Sequence, residues 1–135
     1  MTQRAINAIE QLYDRDVRAE LMLASRPEVR RAIIESLPSV KELIEIGPEA
    51  APVILDFFER EATQTDDELA GVALYLLQRI PSNQAVRPLA RYLRSGKLSG
   101  MNSELAAQAF LTTVGIETVS EDPIAVAFKA AEKFQ

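Results

Sequence analysis

The sequence predicts an all-α fold, an α-α superhelix in which about nine helices stack as a solenoid of right-handed antiparallel pairs. Three observations carry that expectation. Glu68-Leu69-Ala70, Ala73 and Ile80 recur as Glu104-Leu105-Ala106, Ala109 and Ile116, a constant shift of 36 residues. The same shift carries Pro52, Val53 and Phe57 onto Pro88, Leu89 and Leu93. Each half of the repeating unit spaces its apolar residues as a helix does, and one helix pair cannot bury its own apolar face without a neighbour. No segment reads as a strand.

The elements follow in order. From Thr2 to Tyr13, Ile6, Ile9 and Tyr13 fall at helical spacing with Leu12 beside them, and Asp14-Arg15-Asp16 breaks the pattern with a cap. A short run then puts Val17, Leu21 and Ala24 on one stripe. Ser25-Arg26-Pro27 supplies a cap and a first-turn proline for a helix burying Val29, Ile33, Ile34 and Leu37. Pro38 disfavours helical geometry at the residue before it, so the helix ends there, and Ser39 is placed to cap a helix through Val40, Leu43, Ile44 and Ile46.

The two clear units span 47–80 and 81–116. Gly47-Pro48 closes one helix and opens the next, with Val53, Ile54, Phe57 and Phe58 as its buried stripe. After Thr63-Gln64-Thr65, Asp66 or Asp67 caps a partner helix with Leu69, Val72 or Ala73, Leu76, Leu77 and Ile80 inward. Pro81-Ser82-Asn83 is a turn, and the second unit repeats the plan with Val86, Leu89 and Leu93, then Leu105, Ala109, Phe110 and Ile116. Between these helices lies the glycine-bearing loop from Ser95 to Gly100. Asp122-Pro123 starts a last helix, 123–134, whose Ile124, Ala127, Phe128, Ala131 and Phe134 cover the end of the stack.

Bulk composition narrows the function. The chain of 135 residues is the size of one domain, and 47% hydrophobic with 26% charged residues is an ordinary globular balance. A net charge of −5 and a pI near 4.8 argue against a nucleic-acid binder working by phosphate neutralisation. With no His and no Cys, Ser-His-Asp and Cys-His nucleophile systems are excluded, and any metal site is left to oxygen ligands. The first residues lack a basic region followed by an apolar run, and apolar stretches such as Ala50 to Leu55 are far too short for a bilayer. The expectation is a cytoplasmic protein with no membrane segment, no nucleic-acid partner and no cofactor.

Ile46-Gly47-Pro48-Glu49-Ala50-Ala51-Pro52-Val53-Ile54-Leu55, followed by Asp67-Glu68-Leu69-Ala70 and Ala73, resembles a HEAT repeat of the short bacterial kind known from phycobilisome lyases. Pro27-Glu28-Val29-Arg30-Arg31-Ala32 echoes the second-helix start of that family. The second unit departs from it, with Asn83 to Pro88 where an acidic pair is common and a long link from Ser95 to Asn102. The resemblance implies protein recognition on a helical surface. It carries no activity with it, because such units resemble each other for packing reasons and host many roles.

Five candidate features remain. Asp66-Asp67-Glu68 is an acidic helix start, stabilising without a ligand, and Gly96-Lys97 lacks the upstream glycine of a phosphate loop. Arg87, Arg91 and Arg94 form a basic ridge on one helix face, either a grip for an acidic partner or a solvated surface. The charge differs between units: 47–80 holds two basic and seven acidic residues, net −5, and 81–116 holds four and one, net +3. Asp56, Glu59 and Glu61 are accordingly expected to face the ridge, in exposed pairs worth about 0 to 1 kcal/mol each.

On the concave surface, spacing puts Glu68, Tyr75 and Arg79 outward in one unit, and Glu104, Leu111 and Thr112 in the next. Tyr75 and Leu111 there are either partner anchors or packing between helix pairs. The last helix is either a cap or a docking surface for a second copy, making a homodimer. The expected function is thus a non-enzymatic adaptor or regulator binding another protein through the concave face or the ridge. The alternatives are an enzyme or enzyme subunit on the same scaffold, bilin lyase-like or DNA glycosylase-like, and a self-assembly element.

Overall fold

The chain is all-helical in a computed structural model that describes residues 2–63, 67–95, 100–117 and 122–134. The helices are α1 (Thr2–Gln11), α2 (Arg15–Met22), α3 (Pro27–Ser36), α4 (Pro38–Ile46), α5 (Ala51–Ala62), α6 (Asp67–Arg79), α7 (Val86–Arg94), α8 (Ser103–Val114) and α9 (Pro123–Ala131). Short 3₁₀ turns at Gly47–Ala50 and Asn83–Ala85 lead into α5 and α7. No strand occurs among the described residues, and no helix among them is long and apolar enough to cross a membrane.

Local chemistry sets the boundaries. Asp14 caps α2 by accepting the Asp16 N–H at 2.8 Å, and Asp122 caps α9 by accepting the Ile124 N–H at 3.0 Å. Leu37, ahead of Pro38, is extended at φ −67° and ψ 129°, which separates α3 from α4. Gly47 ends α4 at φ +79°, and Gly115 ends α8 at φ +77°, so that its last residue, Val114, lies two before Ile116. Arg26 rather than Ser25 stands at the N-cap of α3, with no side-chain cap bond. Ser39 caps nothing. It is buried inside α4 and donates to the Gln11 amide oxygen at 3.1 Å, tying α4 to α1. The capping expected of Asp66 or Asp67, and the turn at Gly96-Lys97, lie outside what is described.

Helix α6 is the centre of the molecule. Every residue from Leu69 to Leu77 is buried, and α2, α3, α4, α5 and α8 all pack on it. A helix apolar on all sides is a helix enclosed on all sides. Helix α8, which packs on α6, α7 and α9, repeats the apolar pattern only in part. Leu69, Ala73 and Leu74 are matched by buried Leu105, Ala109 and Phe110, whereas Leu76 is matched by exposed Thr112. Apolar residues from Ala5 to Ala131 join in one core cluster.

The phase of α1 differs from the expected one. Its buried face is Ala5, Ala8, Ile9 and Leu12, while Ile6 and Tyr13 are 37% and 45% exposed. The two alanines let α1 lie close against α4 and α5, and that turns the larger side chains to the edge. At the solvent edge of the same contact, Arg4 pairs with Glu42, and with Glu45 at 3.8 Å. The hydrogen bond to Arg4 holds the Glu42 carboxyl below its usual range.

Candidate functional site

The inner side of α6, where a partner was expected to dock, is occupied by the chain itself. Helix α3 lies against α6 through polar contacts. The Tyr75 hydroxyl accepts from Arg79 Nη1 at 2.8 Å and donates to the Glu35 carboxylate at 3.3 Å. The guanidinium carbons of Arg31 and Arg79 stand 5.6 and 5.9 Å from the Tyr75 ring centre, within cation–π range. Arg30, only 4% exposed, donates to the amide oxygen of Asn102 at 3.3 Å, just ahead of α8.

Of the two readings open for Tyr75 and Leu111, packing is the one their burial fits. Tyr75 and Leu111 are each 2% exposed and belong to the core. Spacing within one helix marks them as outward, but the cover on Tyr75 comes from a helix 40 residues earlier in sequence, beyond the reach of local periodicity. Arg79 is exposed yet committed to Tyr75, and Glu68 is half-buried at the start of α6. Of the other positions expected on a concave surface, Glu104 and Thr112 are exposed.

The expected charge contact between α5 and α7 is also not formed. Glu61 is turned inward, 6% exposed, and accepts from the Tyr13 hydroxyl at 2.6 Å. Asp56 lines a hollow of about 170 Å³ toward α1, with Ile6 and Tyr13. Burial, then the bond to Glu61, pushes the Tyr13 hydroxyl up to about 12. Only Glu59 looks toward α7, and no ion pair joins α5 to α7 among the described residues.

Between those two helices lies a groove of about 270 Å³. Its floor is apolar: Phe58 and Tyr92 meet edge to face with ring centres 5.5 Å apart, flanked by Ala62 and Pro88. Glu59 lines one side and Arg91 the other. The basic ridge divides here. Arg94 donates to the Phe134 carbonyl at 2.6 Å, which ties α7 to the end of the chain, while Arg87 and Arg91 are exposed and form no ion pair among the described residues. Tyr92 had no expected role. Its only sequence signal is a place three residues after Leu89 and one after Arg91, at the border of the buried and charged faces of α7.

The groove can hold a large apolar side chain and offers one acidic and one basic contact at its edges, Glu59 and Arg91, with exposed Arg87 one helical turn before Arg91 on α7. No cluster of potential metal ligands occurs among the described residues. No protein-family model, curated protein or solved structure matches this chain.

Proposed function

We propose that this chain is a HEAT-like superhelical module, non-enzymatic in itself, that binds another protein through the outer face of α5 and α7. The 36-residue echo supports the repeat reading, as does the packing of α5 on α6, α7 on α8, and α6 on α8. The single observation that carries the binding reading is the open groove on α5 and α7, set against an inner α6 face already filled by α3. Phe58 and Tyr92 are themselves buried, so they give the groove a rigid apolar floor against which a partner's side chain can pack.

Site-specific photocrosslinking in cells tests this reading. A crosslinking residue at Thr63 or Ser95, both lining the groove, is expected to capture a discrete partner. The same residue at Thr112 on the exposed side of α8 is expected to capture none. Adducts at Thr112 but not at the groove would overturn the assignment of the binding face.

A further inference from the structure

The charges around the groove define what kind of partner fits it. We infer that the α5–α7 groove takes an amphipathic helix that inserts one leucine- or phenylalanine-sized side chain over Phe58 and Tyr92 and presents carboxylates, one turn apart, to Arg87 and Arg91. This rests on the groove being the binding face.

Three features support that occupant. Arg87 and Arg91 are four residues apart on one exposed helix face, so they match two carboxylates at the same spacing on a facing helix. Neither forms an ion pair among the described residues, and the ridge's third arginine is held by the Phe134 carbonyl. The apolar floor favours a peptide over a nucleic acid, and Glu59 opposite Arg91 confines the occupant's carboxylates to its α7 side. A third helix laid along two others is a recurring mode of peptide capture, and it buries an apolar seam while the charged edges set direction.

The direct experiment is fluorescence anisotropy with the full chain and three labelled probes. One is an alanine-based helical peptide with a central Phe flanked by Glu residues four apart. The second is the same peptide with Lys for Glu, and the third is a short polyuridylate. The acidic peptide is expected to bind, and Arg87→Glu or Arg91→Glu to weaken it about tenfold each, equal to about 1.4 kcal/mol. The Lys peptide is expected to gain on those variants what the Glu peptide loses. Both arginines are exposed, so folding of the variants is verified by circular dichroism.

Equal binding of the Glu and Lys peptides, preference for polyuridylate, or no saturation by about 1 mM peptide would each overturn the inference. If groove crosslinks form in cells while the acidic peptide fails, the binding face stands and the partner chemistry falls. If neither is seen, both fall.

Discussion

Asn102 occupies the space beside Gly71: a Cβ added to Gly71 would lie 2.7 Å from the Asn102 side-chain oxygen and 3.6 Å from Arg30 Cδ. The position 36 residues later is Ala107, fully buried. Both places thus hold a small buried residue, and at Gly71, with Arg30 and Asn102 against it, an added methyl group has no room unless a neighbour shifts.

Gly71→Ala is therefore expected to destabilise. Overpacking costs about 1–3 kcal/mol, offset by about 1 kcal/mol of improved helix propensity. Displacing Asn102 also disturbs its bond with Arg30. Urea unfolding should show a lower midpoint, and the double variant Gly71→Ala with Asn102→Ala should recover part of the loss. A Gly71→Ala variant more stable than the parent would mean that Asn102 moves aside freely.

Tyr75 offers a second contrast. As a core residue whose hydroxyl joins Glu35 to Arg79, it should cost about 1 kcal/mol on Tyr75→Phe and about 3–5 kcal/mol on Tyr75→Ala. A stable, fully folded Tyr75→Ala protein with impaired association would instead restore the anchor role that spacing alone suggests.

These residues also show what sequence reading reaches. Helix order, the breaks at Asp14, Pro38 and Gly47, and the core positions Leu69, Ala73, Leu105 and Ala109 were all legible, because each follows from spacing or from a capping residue acting within one turn. The burial of Arg30 and Tyr75 was not. Both depend on how α3 lies against α6 and the start of α8, and the bond from Arg30 to Asn102 spans 72 residues. The ridge was legible as a stripe, but the groove beside it arises from two helices whose facing charges do not meet.

Tyr13 predicts a response to alkali. Its hydroxyl titrates at about 12, above the ordinary value of 10.0, so the folded state favours the protonated form. That contribution is complete below pH 10 and is lost as pH rises from about 10 to about 12. Absorbance titration of the phenolates should lose one late step in Tyr13→Phe. At neutral pH this variant should be less stable by about 1 kcal/mol, because buried Glu61 loses the hydroxyl that donates to it. Its stability should also fall less than the parent's between pH 10 and 12, and an identical fall in both proteins would dismiss the link.

Phe128 and Phe134 separate the two roles expected of α9. Phe134 meets Phe110 edge to face with ring centres 5.8 Å apart and is half-buried, while Phe128 is 37% exposed. If α9 acts as a cap, Phe134→Ala should cost about 1–3 kcal/mol and Phe128→Ala no more than about 0.5 kcal/mol. The folded state would then show an unfolding midpoint independent of protein concentration. If Phe128→Ala costs as much as Phe134→Ala, and the parent's midpoint rises with concentration, Phe128 is covered by a second copy. Comparing both variants in urea at two protein concentrations about a hundredfold apart decides between cap and dimer interface, since mass action stabilises only an associating protein.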